Sequence, residues 1–126
     1  MTTLTFTVPG QPVGKARARV AYHGGQARAY TPAKTRAYEV LIRLKALEAI
    51  GGAKGWPLTG PVAIEARADF QVTKSWSKHK RARAYGNQIR PTSRPDYDNL
   101  MKCLDALTGV CWADDAQVVS AHVSKW

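Results

Sequence analysis

Hydrophobic and polar residues alternate from Thr3 to Val8, with Leu4, Phe6 and Val8 on one side and three threonines on the other. A period of two carried by β-branched and aromatic residues predicts a strand over residues 3–8. From Pro9 to Tyr30 the chain is glycine-rich and basic and keeps no period, which predicts a loop or an irregular hairpin. Thr31-Pro32 reads as a helix start, an N-cap hydroxyl followed by proline at the first helical position. Ala37, Val40, Leu41, Leu44 and Leu47 then recur at helical spacing and Gly51-Gly52 supplies a stop, so a helix is predicted over residues 32–50. Residues 61–72 give the clearest strand. Val62, Ile64, Ala66, Ala68, Phe70 and Val72 share one face, and Glu65, Arg67, Asp69 and Gln71 share the other.

Between Lys74 and Arg94 the periodicity disappears. Ser, Gly, Asn and Pro interrupt the stretch, so a long loop is predicted, of the kind that is usually functional or mobile. Leu100, Leu104 and Leu107 form the stripe of a short amphipathic helix, roughly 98–108, with Gly109 near its end. Val119, Ala121 and Val123 alternate within a last strand, 117–125. The predicted order is β-α-β-loop-α-β: a mixed α+β fold with a small mixed sheet and two principal helices. A chain of 126 residues without repeats or a linker reads as one domain, 1–126. No apolar run is long enough to span a bilayer. Met1 to Pro9 lacks the basic-then-apolar pattern of a secretory leader, and no membrane association is expected. Cys103 and Cys111 match no metal or redox spacing and read as buried thiols in a reducing, cytoplasmic setting.

Charge changes the picture. The chain has 19 Lys and Arg against 9 Asp and Glu, a formal net charge of +10. The two signs are segregated: residues 1–95 hold 17 basic and 4 acidic residues, whereas all five remaining acids lie between Asp96 and Asp115. A basic body suits a polyanion, because Lys and Arg displace the counterions condensed on phosphates. A compact group of carboxylates would repel that polyanion unless a cation sits on it, and oxygen ligands favour Mg²⁺ or Mn²⁺. The stretch Lys74 to Arg94 carries seven basic residues and no acid, with Trp76 and Tyr85 interleaved. His23, His79 and His122 are scattered and suggest no zinc site.

The acids have a definite spacing. Asp96 and Asp98 stand at i and i+2 at a helix entrance, where an extended backbone projects both to one side. Asp98 also suits a capping role, favoured by the helix dipole. Lys102 lies one turn beyond Asp98, which reads either as a surface i,i+4 pair or as a cation held beside a metal site. Asp114-Asp115 opens the last strand after a turn that can return one of them towards the helix entrance.

The run Arg94-Pro95-Asp96-Tyr97-Asp98-Asn99-Leu100-Met101-Lys102, followed by Leu104-Asp105-Ala106-Leu107 and Asp114-Asp115-Ala116-Gln117-Val118, closely resembles the RusA family of Holliday junction resolvases. Gly10-Gln11-Pro12 with Lys15, Arg17 and Arg19, Tyr30-Thr31-Pro32, and Ser75-Trp76-Ser77-Lys78 resemble the basic segments of phage-type members. The resemblance implies a homodimeric endodeoxyribonuclease of recombination and repair that cuts four-way DNA junctions with Mg²⁺, Mn²⁺ being an alternative ion. It implies Asp96, Asp98 and Asp115 as metal ligands and Lys102 as the essential lysine; together these form the expected catalytic set. Asp105 is expected to be structural and to pair with Lys102 at i,i+3. Lys15, Arg17, Arg19, Trp76, Lys78, Lys80, Arg81, Arg83 and Arg94 are the expected DNA contacts, with Trp76 or Tyr85 available to stack on an unpaired base. Rival readings are a nuclease for flaps or other branched DNA and a non-catalytic basic nucleic-acid-binding protein. The acidic group with its lysine disfavours the second, because a pure binder gains nothing from carboxylates facing phosphate.

Overall fold

The computed structural model describes residues 2–126. A hairpin, β1 (Arg19–His23) and β2 (Gln26–Tyr30), leads into the long helix α1 (Ala33–Ile50) and the strand β3 (Val62–Ala68). Two short helices follow, α2 (Lys78–Tyr85) and α3 (Tyr97–Lys102); α3 runs directly into a 3-10 turn, Cys103–Leu107. A second 3-10 turn, Asp115–Gln117, precedes the last strand, β4 (Val118–Lys125). The fold is mixed α+β, as expected, but the expected single sheet resolves into two pairs: β1 with β2, and β3 with β4.

The segment expected to be loop or irregular hairpin contains a regular one. Its strands pair antiparallel from Arg19↔Tyr30 to His23↔Gln26. Gly24 and Gly25 make the turn with φ of 57° and 79°, the two left-handed residues that a tight twisted hairpin requires. β3 and β4 instead run parallel, in register from Ile64↔Ala121 to Ala68↔Lys125. Parallel neighbours need a long crossover, and the chain between them supplies it, carrying α2, α3 and all five clustered acids. β3 keeps its alternation, with Val62, Ile64, Ala66 and Ala68 half-buried and the residues between them exposed. It ends at Ala68 rather than residue 72, although Trp126 N–H still donates to the Ala68 carbonyl and Phe70 N–H to that of Trp126, both at 2.9 Å.

Residues 3–8 are not a strand. Their alternation is real, since Leu4, Phe6 and Val8 pack against the core while the threonines are exposed, but no ladder forms along them. Period two decides which side chains face inward; the hydrogen-bonded partner has to come from elsewhere in the fold.

In α1 the apolar repeat in the sequence is largely not the buried face. Ile42 and Ala46 are buried, as is Thr35, with Tyr38 and Ile50 packed beside them. Val40, Leu44 and Leu47 are 55%, 50% and 51% exposed. The helix lies against the Cys103–Leu107 turn. Ala46, with no exposed surface, and Ile42 pack into one cluster with Cys103 and Leu107 of that turn, whereas Thr35 is covered by the N-terminal segment, its hydroxyl accepting from Ala16 N–H. Ile42, Ala46, Cys103, Leu107, Val110, Cys111 and Trp112 form the central core. Both cysteines are unpaired and buried, and burial pushes the Cys103 thiol up to about 11, with the Glu39 carboxylate adding to the effect.

The stretch expected to be loop from Lys74 to Arg94 contains α2. Ser77 caps it, its hydroxyl accepting from Lys80 N–H at 3.2 Å. Lys, Arg and Ala are good helix formers. None of its residues is buried, so it has no apolar period from which a sequence reading could find it.

The two faces of α1 separate under mutation. Ile42→Ala should cost about 2–5 kcal/mol in urea unfolding. Leu44→Ala should stay within about 0.5 kcal/mol when measured at concentrations dilute enough to exclude self-association. Equal losses would show that the Leu44 face is buried in the folded protomer.

Candidate active site

The site starts where the crossover enters α3. Asp96 is the N-cap residue, with extended backbone angles of −68° and 149° and no side-chain cap bond. Its carbonyl accepts the first helical bonds, from Asn99 and Leu100 at 3.1 and 3.2 Å, and its carboxylate is left uncommitted. Asp98 stands in the first turn, where negative charge suits the helix dipole. Its Oδ2 is 3.7 Å from Lys102 Nζ, with the two side chains 48% and 57% exposed. An ion pair this open adds little to stability, so both groups remain free to meet another charge. The expected pairing of Lys102 with Asp105 is absent. Lys102 bridges to Asp98 instead, and its charge only tempers Asp105 from further off.

The acidic pair after the turn divides its work. The Asp114 carboxylate accepts from Ala116 N–H at 2.8 Å, and the Gln117 side chain accepts in return from Ala113 and Asp114 N–H, both at 2.9 Å. This capping box starts the last 3-10 turn. Gln117 Nε2 also donates to the carbonyls of Leu58 and Gly60, at 2.8 and 3.0 Å, which fastens the turn to the strand-side loop. Asp114 is therefore structural. Asp115 points its Oδ1 at two donors, the Thr108 hydroxyl and the Trp112 indole N–H, the latter at 3.0 Å. These bonds hold its carboxyl below the ordinary range. Asp105 moves the opposite way, raised by desolvation first and by the Asp115 charge second.

The N-terminal segment completes the arrangement. Lys15 N–H donates to the Asn99 carbonyl at 3.0 Å, Ala16 N–H to the Thr35 hydroxyl at 3.2 Å and Cys103 Sγ to the Val13 carbonyl at 3.3 Å. Gly14 passes so close to α3 that a Cβ there would lie 2.5 Å from Pro95 Cβ. The Lys15 ammonium sits 3.4 Å from Glu39 Oε1, a buried oxygen with no hydrogen-bond partner, and its charge lowers the pKa of both Asp105 and Asp115. Sequence reasoning did not find Glu39, Thr108 or Trp112, because each acts across a turn or between elements and none belongs to a recognisable spacing.

The acids thus form a string rather than a knot. Asp98 meets Lys102, Lys102 acts on Asp105, and Asp105 feels Asp115. Among the described residues, no three His, Cys, Asp or Glu side chains are grouped closely enough to hold a metal by themselves. The donors nevertheless fit a hard cation. Mg²⁺ keeps several waters and uses one or two carboxylates together with substrate phosphates, not a complete protein cage. Asp96 has no cap bond and Asp98 only an open ion pair with Lys102, so the helix entrance can supply such carboxylates.

Most of the remaining expected contacts lie on the outside. Arg17, Arg19 and Arg94 are exposed, as are Lys78, Lys80, Arg81 and Arg83 on α2. Lys80 Nζ stacks 4.0 Å from the Trp76 ring centroid. Lys15 differs, turned inward to the acids.

The Asp115 environment gives a signed pH dependence. A carboxyl whose folded pKa is depressed contributes stability that is complete above the unfolded value of about 3.9 and is lost as pH falls through the folded value. Asp115→Asn should therefore lower the melting temperature at pH 7, and the deficit should shrink to nothing as the pH is taken below the carboxylate range. Thr108→Val should move the Asp115 titration, followed by carboxyl NMR, upward. An unmoved titration would remove the hydroxyl as its cause.

No helix of the described residues is long and apolar enough to cross a membrane. No solved structure gives a significant match. The chain is 35% identical over 129 residues to the uncharacterized protein YqaN of Bacillus subtilis (strain 168), an alignment covering 100% of this chain and 89% of that one. The family model described as endodeoxyribonuclease RusA matches residues 9–126, a span that includes the N-terminal clamp, the acidic string and both strands of the parallel pair. The chain belongs to the RusA family and is an endodeoxyribonuclease of the Holliday junction resolvase type.

Proposed function

We propose that this chain, working as one domain over residues 1–126, is a homodimeric, Mg²⁺-dependent resolvase that cuts four-way DNA junctions during recombination and repair in the cytoplasm. The observation that carries the reading is the uncommitted carboxylate of Asp96 at the entrance of the helix that pairs Asp98 loosely with Lys102, set in a chain of net charge +10. Asp96, Asp98 and Asp115 are the residues that would hold the metal. When bound, the metal supplies positive charge against the phosphate and lowers the pKa of the attacking water.

The other roles fall to the protein's own groups. Lys102 Nζ donates to a phosphate oxygen as negative charge builds there. Thr108 and Trp112 keep Asp115 ionised and fixed in orientation. Glu39 and Lys15 brace the string from behind. Arg17, Arg19, Arg94 and the basic residues of α2 hold backbone phosphates, which position the DNA without reading its sequence. A junction presents two equivalent strands to be cut, and a two-fold dimer offers two equivalent sites. The exposed row Val40, Leu44 and Leu47 on α1 is an apolar surface suited to such a contact.

Three measurements test this. Wild-type protein with Mg²⁺ should cut a synthetic four-way junction in preference to its linear arms, and chelation should stop it. Junction binding without cutting under any divalent ion would favour the non-catalytic binder. Lys102→Ala should slow single-turnover cleavage about 10²–10³-fold with little change in binding or melting, and Lys102→Arg should not restore the full rate, because a planar guanidinium does not replace a point-like ammonium. A Lys102→Ala protein that cuts at the normal rate would remove the lysine from the chemistry. Leu44→Glu should shift the sedimentation profile from dimer to monomer; an unchanged profile would place the dimer contact elsewhere.

A further inference from the structure

Two clefts of about 530 Å³ each lie on either side of a common wall formed by Arg67, Arg90, Pro91 and Trp126. None of these residues belongs to the expected DNA contacts. The Arg90 guanidinium carbon stands 3.5 Å from the Trp126 ring centroid and that of Arg67 stands 4.6 Å from it. The indole is a fixed platform. Its Nε1 donates to Ser124 Oγ at 3.0 Å, and its backbone is bonded on both sides to the β3 extension. Arg67 is paired to Asp69 at 2.7 Å. Arg90 has no carboxylate within ion-pair distance among the described residues. A guanidinium lying on an aromatic ring keeps its N–H edge pointing outward and loses little freedom when an anion arrives, so it is pre-organised for phosphate.

The wall also has a position relative to the acids. Tyr97, which stands between Asp96 and Asp98, lines the first cleft together with Trp126, Arg90 and Lys125. Lys125 Nζ donates to the Ser93 carbonyl at 2.6 Å, tying β4 to the loop that leads into Asp96. Glu65 lines the same cleft, but the cations Arg67, Arg90 and Lys125 outweigh it.

We propose that Arg90 and Arg67, stacked on Trp126, form a seat for one backbone phosphate of the DNA strand that passes the Asp96–Asp98 helix entrance. The seat rests on the reading of the protein as a DNA-cutting enzyme and adds a specific substrate contact to it. It fixes the strand by one phosphodiester close to the cut, where the basic residues of α2 and the hairpin grip the arms at large.

Junctions carrying single neutral methylphosphonates, stepped along the cut strand, test it in Ca²⁺ so that binding is read without cleavage. Wild-type binding should weaken at one substituted position within a few nucleotides of the cut. Arg90→Ala should bind the unmodified junction about tenfold less tightly, with a log–log salt slope smaller by about 0.9, and that same methylphosphonate should then cost nothing further. Trp126→Leu removes no charge, yet should weaken binding about three- to tenfold by taking the platform from under both guanidiniums and freeing that of Arg90; Trp126→Phe should keep most of the affinity. Lys54→Ala, an exposed charge outside the seat, should leave the methylphosphonate profile as in wild type. Melting curves establish that each variant folds. If Trp126→Leu does not, Arg90→Ala and Trp126→Phe decide alone. An Arg90→Ala protein that still loses affinity at the same methylphosphonate would overturn the seat. The series is repeated on an isolated duplex arm. Absence of any junction preference would refute the resolvase reading, while the coupling between Arg90 and the neutral phosphate on the arm would still decide the seat.

Discussion

How closely residues 13–16 pass α3 controls the geometry of the whole acidic region. Gly14 leaves no room for a side chain against Pro95 and Asn99. On either side of it the chain is stitched in by three bonds: Cys103 Sγ to the Val13 carbonyl, Lys15 N–H to the Asn99 carbonyl and Ala16 N–H to the Thr35 hydroxyl. Each bond reaches a different element, so α1, α3 and the Cys103–Leu107 turn are held together by one short stretch of backbone. The approach also brings the Lys15 ammonium to the half-buried Glu39 carboxylate, whose Oε1 is covered. Covering a carboxylate oxygen costs less when a cation stands beside it, so the N-terminal segment and α1 support each other electrostatically as well as sterically.

From that clamp follows the way the carboxylates are shared between building and chemistry. Asp114 spends its oxygens on a capping box. Asp115, the next residue, is turned to Thr108 and Trp112 and held ionised. Asp96 begins a helix with its backbone while its side chain stays out of the cap. An enzyme that places negative groups near DNA has to keep them ionised and oriented without neutralising them. Hydrogen bonds from neutral donors, together with cations held slightly apart, achieve this. The opposed shifts of Asp105 and Asp115 show how unevenly the environment treats two acids in one string.

The basic surface is built by different means in different places. On α2 the cations extend from a helix with no buried face, stabilised by its Ser77 cap and by the Lys80–Trp76 stack. Around Trp126 they stand over an indole anchored to the parallel pair. The first arrangement suits loose tracking of phosphates along a duplex arm. The second has the rigidity needed to fix one phosphate near the acids.

The residues that identify the chemistry were legible in the sequence because they are close together along the chain. Asp96, Asp98 and Lys102 fall within seven residues at one helix entrance, and the i,i+4 pair forms as its spacing requires. The boundaries of α1, the alternation of β3 and the segregation of charge were legible for the same reason: each is a local pattern. What the sequence left open depends on contacts between distant segments. The alternation at residues 3–8 was correct, but no neighbouring strand completes a ladder there. The leucines of α1 have the spacing of a core stripe, yet the face carrying Thr35, Ile42 and Ala46 is the one buried, because the Cys103–Leu107 turn packs on that side of the helix. α2 carries no apolar period to announce it. Arg67, Arg90 and Trp126 are far apart in sequence and meet only because β3 and β4 pair in parallel. The sequence by itself determined which groups are available and where α1 begins and ends, since backbone preference and side-chain spacing act over one or two turns. The tertiary structure alone decided which faces are buried and which charges meet, since close packing and pairing depend on the distance between segments that the chain does not encode locally.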